Sequence, residues 1–463
     1  MNRYHLNERR LTVTAMSCIG AELLAFLYAG RVLYGLLEHY HLSAALYVFL
    51  SGAALFAGLV SCGAFVRTQA SARRILSRWS ILCLILPLPF FFRPSPLWMI
   101  SLIGLGYLCG CIIASWGFFL KLFSPVQERM RMCADTLILS TFVMIAINIT
   151  ERRLSPLWAL ALCLVSLLIG IIAAWRLPAE APDPPTDGTS PAAEGTLKMP
   201  LHLLFLLMTV VAINSGLMYR VILPAFSHLE GIHSWYWSLP YAAAIAVMRL
   251  LSMREERPWL PYAGVAMLAS AFVCFMTFGR GLTEYIVIDT LLLGAYGMFD
   301  LFWWSTLAKM LDYTSHAASV FGFGLSANVL GTIFGDLLGM GAAAAALSGA
   351  ETAVIALCIV CATLTLLPAL TGQLNQLFQP RGAESADAEE GDDLLLQQAM
   401  ALDPLTPRED EVLQQTLAGK SNRAISEDLH ISESTVKTHL RRIFSKYGVG
   451  SRAELISLLL KGP

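Results

Sequence analysis

Apolar runs long enough to cross a bilayer recur along most of this chain, and they restrict its fold more than any other feature. The runs 11–36, 44–66, 75–92, 97–120, 133–149, 156–175, 200–223, 235–252, 259–279, 283–307, 317–346 and 352–370 are each dominated by apolar residues. A spanning helix needs roughly 20 such residues, because a hydrocarbon layer about 30 Å thick is crossed at about 1.5 Å per residue. In lipid every backbone amide must be satisfied within the protein, so runs of this length predict helices. The expectation is an all-α, polytopic bundle of twelve helices. Composition agrees, with 56% hydrophobic and only 14% charged residues, where soluble proteins average about 25% charged.

Charge divides the chain. Residues 1–370 hold 22 Lys and Arg against 19 Asp and Glu, residues 371–403 one against seven, and residues 404–463 nine against seven. Threading the twelve runs back and forth puts sixteen Lys and Arg on the side of the N-terminus, among them Arg73, Arg74, Arg129 and Arg249, and four on the other. Short loops rich in Lys and Arg stay cytoplasmic. This predicts both ends of the chain in the cytoplasm of a bacterial cell with the bundle in its inner membrane. The first run shows no cleavage pattern and reads as a span.

Between the sixth and seventh runs lies PAEAPDPPTDGTSPAAEG, residues 178–195. Pro, Gly and acids at that density cannot pack a core, so 176–199 reads as a linker between a first half, 1–175, and a second, 200–370. Six helices, a cytoplasmic linker and six more resemble the major facilitator superfamily, whose two halves enclose a cavity near the midplane. The resemblance covers residues 1–370 and rests on architecture. The loop bearing Gly63, Arg67, Arg73 and Arg74 is similar to that family's basic loop motif but lacks its aspartate.

The resemblance implies that helices 1, 4, 7 and 10 line the cavity. Those runs carry polar and aromatic residues at membrane depth: Glu22, Arg31 and Tyr34; Tyr107 and Trp116; Asn214, Tyr219 and Arg220; Asp289, Tyr296, Asp300 and Trp303. Glu22, Arg31, Tyr34, Asn214, Tyr219, Arg220, Asp289, Tyr296, Asp300 and Trp303 are the candidate contacts for a small-molecule ligand. Residues 289, 296, 300 and 303 fall on one helix face, whereas Glu22 and Arg31 are about half a rotation apart. Charges inside a membrane are costly and face protein or a water-filled cavity. Pairing with one another is the structural alternative to ligand contact. Gly331, Gly335 and Gly339 repeat every fourth residue, which predicts close helix packing.

No enzymatic reading emerges. The sequence has no glycine-rich phosphate loop, no nucleophile elbow and no cluster of metal ligands. The ten cysteines all sit in apolar runs and read as small apolar residues. No cofactor or metal is expected.

Residues 371–403 are polar and acidic, with Glu384, Asp387, Glu389, Glu390, Asp392 and Asp393 close together. A flexible tether of about 32 residues spans roughly 30 Å. DNA half-sites one turn apart are separated by about 34–36 Å, so two tethered heads could meet on one operator.

Beyond the tether, 404–463 reads as four helices. Thr406-Pro407-Arg408-Glu409 combines an N-cap, a Pro in the first turn and a Glu three residues on, a capping box that opens a helix running to about Ala418. Gly419 stops it. A second helix starts at Ser421 and turns through His430 and Ile431. A third runs from Ser432 to about Tyr447, and a fourth opens at Ser451. On the third, Val436, Leu440, Ile443 and Tyr447 form one apolar stripe. Lys437, Thr438, Arg441 and Arg442 lie off it, toward solvent. A helix of this kind presents Lys and Arg to guanine O6 and N7, and the Thr methyl to thymine, in the major groove of double-stranded DNA.

LTPREDEVL (405–413), AGKSNRAISEDLHISESTVKTHLRRIFSKYGV (418–449) and SRAEL (451–455) closely resemble the LuxR/GerE-type helix-turn-helix. The resemblance implies Lys437, Thr438 and Arg441 as groove-facing readers. It implies Ser421, Asn422, Arg423, Ser434, Thr435 and Lys446 as phosphate or docking contacts, and the fourth helix as the homodimer contact on DNA. The chain departs from the family upstream, where twelve membrane helices stand in the place of a soluble input domain. The expectation is therefore a one-component regulator that senses a small molecule through its membrane domain. A transporter with a regulatory head, or a constitutive regulator anchored in the bilayer, are the alternatives.

Overall fold

A computed structural model describes residues 3–27, 30–178, 191–251, 259–378, 406–446 and 455. Among them every regular element is helical. The chain divides into a unit ending at Leu377 and a second covering Phe378–Pro463.

Eleven helices are long and apolar enough to cross a membrane. They are α1 (Asn7–His39), α2 (Ala44–Phe65), α3 (Gln69–Phe91), α4 (Pro96–Phe123), α5 (Glu128–Arg153), α6 (Pro156–Trp175), α7 (Gly195–Ile222), α9 (Leu260–Thr277), α10 (Leu282–Tyr313), α11 (Ala317–Ala344) and α12 (Gly349–Phe378). Of the remaining expected run, 235–252, the described residues form the shorter helix α8 (Leu239–Leu251), preceded by the two-turn helix Glu230–Tyr236. Trp237 and Ser238, followed by Pro240, interrupt that run. Among the described residues α8 covers about 20 Å at about 1.5 Å per residue, and residues 252–258 that follow it lie outside them.

The halves are α1–α6 and α7–α12. They meet where α2 and α4 pack on α11, and where α5 packs on α8 and α10. Within the second half, α7 and α11 approach backbone to backbone. A Cβ at Gly331 or Gly335 would collide with the carbonyl oxygens of Thr209 and Ile213, and one at Gly216 with that of Thr332. Small residues permit this approach in lipid, where dispersion contacts replace the hydrophobic effect between helices.

Helices α1 and α7, first of each half, both depart from α-geometry. The π segment Leu23–Leu27 follows Glu22, and the π segment Met218–Ile222 follows Leu217. Such bulges free local backbone groups and favour ligand sites. Paired interruptions in corresponding helices of two halves point to the midplane site of transporter folds. No sequence pattern announced them.

Two boundaries shift. Helix α12 continues to Phe378, past the expected start of the tether at 371, and the helix entering α7 begins at Pro191, inside the expected linker. The rest of the tether lies outside the described residues.

In the second unit, α13 (Pro407–Leu417), α14 (Asn422–Asp428) and α15 (Glu433–Lys446) surround a small core. Val412, Leu413, Ile425, Val436, Leu440, Ile443 and Leu455 are buried in it. The expected fourth helix lies outside the described residues except for Leu455. Tyr447, the last member of the expected stripe, is also outside them.

Candidate functional sites in the two domains

The third helix of the C-terminal unit is positioned by a chain of local devices. Thr406 caps α13. Its hydroxyl accepts from the Glu409 amide at 3.4 Å, while its own amide donates to Glu409 Oε2 at 2.9 Å. Gly419, at φ +79°, ends the helix, and the Ser421 hydroxyl caps α14 by accepting from the Ala424 amide at 3.3 Å. The turn into α15 passes through His430 at φ +51°, a left-handed position whose cost must be met by surrounding contacts. One is visible: Arg408 donates to the Leu429 carbonyl at 3.0 Å. At the start of α15, Ser432 Oγ accepts from the Thr435 amide at 3.1 Å and lies 2.6 Å from Ser434 Oγ.

With Val436 and Ile443 buried, Lys437, Thr438, Arg441 and Arg442 are all exposed. Lys437 and Arg441 stand one turn apart on the same face. Neither they nor Arg442 pair with an acid among the described residues, whereas Arg408, Lys420 and Arg423 do. The Thr438 hydroxyl donates to the Ser434 carbonyl at 2.9 Å, which leaves its methyl as the group free to meet a base. Asn422, in the first turn of α14, is half-buried. Ser434 and Thr435 cluster at the N-terminus of α15, where amides and the helix dipole favour phosphate.

Lys446, a candidate phosphate or docking contact, is tied within the domain to Glu409. Its ammonium donates to Glu409 Oε2 at 2.9 Å, and the Glu409 side chain is nearly fully buried. The Thr406 amide, and then this ammonium, hold the Glu409 carboxyl down to about 2 from an ordinary 4.5. The pair ties the end of α15 to the start of α13. Neither Arg408 nor this strut was legible beforehand, since each depends on residues distant in sequence.

In the membrane unit the candidate ligand residues separate into three groups. Arg31 faces Glu151 at 3.5 Å and Arg220 forks onto Asp336, with Nη2 donating to Oδ2 at 3.0 Å. These are ion pairs within one half each, which is the structural alternative to ligand contact. Glu22, Asn214 and Asp289 are buried away from the main cavity; neither Glu22 oxygen and neither Asn214 side-chain atom has a partner among the described residues. Tyr34 lines a small side cavity with Asp336. The side chain of Tyr219 is outside the described parts.

Among the candidates whose side chains are described, Tyr296, Asp300 and Trp303 reach the central cavity, all from one face of α10. The cavity has two lobes of about 130 and 140 Å³ that share Leu24, Tyr241, Asp300 and Asn328. Asp300 Oδ2 accepts from the Tyr241 hydroxyl at 2.8 Å, and it is the one charged side chain among the described residues lining either lobe. Trp303 and Trp304 wall one lobe, Tyr296 and Trp237 the other, and the rest is mainly aliphatic and Met. The π segments border the cavity through Leu23, Leu24 and Met218.

The two halves are pinned together at the end of the bundle where α1 begins. Arg249 Nε donates to Asp135 Oδ1 at 2.6 Å, and the buried Arg129 donates to Asp312 at 2.7 Å and to the Ala308 carbonyl at 2.9 Å. Lys121 donates to the Thr314 carbonyl at 2.9 Å. Within the first half, Arg9 donates to Glu128 at 2.6 Å beside this seam.

Comparison with known proteins matches each unit separately. The family described as "Bacterial regulatory proteins, luxR family" matches residues 403–459. The transcriptional regulatory protein MctR of Rhizobium johnstonii is 43% identical over 58 residues, 12% of this chain and 27% of that protein. This chain thus spans about a quarter of that relative's length. Among solved structures, the E. coli fucose:proton symporter FucP has a TM-score of 0.58 at 12% identity, covering 80% of this chain and 99% of its own. A bacterial homologue of the iron transporter ferroportin, in its outward-facing state, has a TM-score of 0.59 at 13% identity, covering 80% and 100%. Such identities speak to fold alone. Residues 403–459 are accordingly a LuxR-family DNA-binding regulatory domain, carried by a chain with eleven helices long and apolar enough to cross a membrane, whose membrane domain shares the fold of these two solved structures.

Proposed function

We propose that this protein is a membrane-embedded one-component transcription regulator, in which a small molecule bound in the membrane cavity alters how the C-terminal domain engages DNA. The observation that carries the reading is the union in one chain of a LuxR-family domain and a transporter fold whose central cavity narrows onto one carboxylate. In this reading both ends of the chain are cytoplasmic, as the loop charges favour, and the pinned end of the bundle faces the DNA-binding side.

Lys437, Thr438, Arg441 and Arg442 read bases in the major groove, and Ser421, Asn422, Arg423, Ser434 and Thr435 approach the backbone. Two heads pair as a homodimer on one operator. Ligand can act only through different affinities for two arrangements of the membrane domain. The seam of Arg249–Asp135 and Arg129–Asp312 is suited to separate two such arrangements, because ion pairs between halves form or break as units.

The test is a target-promoter reporter in cells lacking any other uptake route for the ligand. A ligand-dependent response abolished by Asp300→Ala is the expected result. A reporter indifferent to every ligand and to Asp300→Ala removes the sensing half of the proposal. A second reading, transport, is favoured by the polar group at the cavity centre. Saturable uptake into proteoliposomes, lost in Asp300→Ala, would establish it.

A further inference from the structure

We infer that the cavity takes a small organic cation, an amine or quaternary ammonium group on an apolar, ring-sized body. This rests on the reading of the cavity as the ligand chamber and deepens it by naming the ligand's chemistry.

Asp300 sits where the two lobes join, and no Lys, Arg or His lines either lobe among the described residues. An anionic ligand would meet a like charge with no cation to offset it. A polyol would bond the hydroxyls of Thr136, Ser140, Thr141, Ser215 and Ser238 and the Asn328 amide, but it would leave the Asp300 charge without a counter-charge. A metal ion would find one carboxylate where hard cations gather six or more oxygens. A neutral apolar ligand would strip water from Asp300 and leave it bonded only to Tyr241. A monovalent organic cation resolves each of these conflicts at once.

The geometry accommodates it. Tyr241 occupies Asp300 Oδ2 at 2.8 Å, and Oδ1 has no partner among the described residues. Trp303 and Trp304 on one side, and Tyr296 and Trp237 on the other, flank the junction. Aromatic faces attract a desolvated ammonium and also pack against an apolar body. Cation selectivity therefore comes from Asp300, and size selectivity from two lobes of about 130 and 140 Å³.

The test uses the full-length protein in lipid nanodiscs and calorimetric titration with four probes of similar size. Phenethylamine and benzyltrimethylammonium are cations, 2-phenylethanol is neutral, and phenylacetate is an anion. Saturable binding of both cations is expected, with the alcohol and the acid at least tenfold weaker. Asp300→Asn should weaken cation binding at least tenfold, and Asp300→Glu should keep the preference. Equal binding of the acid or the alcohol, no saturable cation binding, or an unaffected Asp300→Asn would overturn the inference. Should Asp300→Asn fail to fold, the comparison of four probes on the unaltered protein decides by itself. Binding is read here without DNA. Cation binding with a silent reporter refutes sensing and keeps the ligand class, whereas a reporter driven only by an anion or a neutral compound does the reverse.

Discussion

The DNA-binding domain and the membrane domain dispose their charges in opposite ways. On α15, Lys437, Arg441 and Arg442 stand exposed and pair with no acid among the described residues, because water solvates them at little cost. In the membrane unit Arg31, Arg129, Arg220 and Arg249 are each matched to an acid, because lipid offers no such solvation. In the cavity Asp300 has only a phenol. An unmatched charge is ordinary in water and informative in a membrane, so the same residue type carries different evidence in the two domains.

The comparison breaks first at packing. Gly335→Leu should abolish the folded membrane domain, since its side chain would enter the backbone of α7 at Ile213. Size-exclusion chromatography would show aggregate or no protein, and a monodisperse peak would disprove the close approach. Arg129→Ala should cost roughly 2–3 kcal/mol, because it removes charged hydrogen bonds at a buried site. Thermal melting of the membrane domain, together with greater reagent access at the pinned end, is the check.

In the soluble domain the effects are smaller and fall on binding. Arg441→Ala should weaken specific DNA binding by roughly 1–3 kcal/mol and relax preference at one base position. An unchanged preference would remove Arg441 from the readers. Glu409→Gln keeps the capping box, since Gln also accepts from the N-cap amide, and should destabilise this domain by roughly 1–2 kcal/mol through loss of the charged bond to Lys446. The Glu409 carboxyl is held to about 2 in the folded chain against an ordinary 4.5. Its contribution is therefore complete above the unfolded value and is lost as pH falls through the folded one. Calorimetry of the full-length protein should show the variant and parent converging as pH falls to about 2 and below. The smallest change is Arg423→Ala. Its pair with Glu427 is exposed at both ends, so stability should move by less than about 0.5 kcal/mol. The salt dependence of DNA binding should nevertheless fall by about one unit if Arg423 meets a phosphate.

Legibility followed the range of the interactions. The capping box at Thr406, the stop at Gly419 and the stripe of Val436, Leu440 and Ile443 depend on residues within a turn or two, and all were readable. The glycine face of α11 was readable as a packing face, although its partner α7 was not. Of the nine ligand candidates whose side chains are described, Tyr296, Asp300 and Trp303 converge on the cavity. The shared face of α10 was visible, but the partners that removed Arg31 and Arg220 come from other helices.

By itself the sequence determined the class of each domain. Segment length against bilayer thickness demanded spanning helices, and the period of apolar residues with its capping signals demanded a helix-turn-helix. Tertiary structure alone decided that α1 and α7 pass through π segments, and that Tyr241 and Asn328 join Asp300 at one cavity. Local periodicity records which face a residue occupies, whereas a cavity is made by faces from several helices whose packing is set by long-range contacts. The same physics separates Lys446 from its neighbours: position on α15 made it a candidate for DNA, and the nearness of Glu409 in space made it a strut.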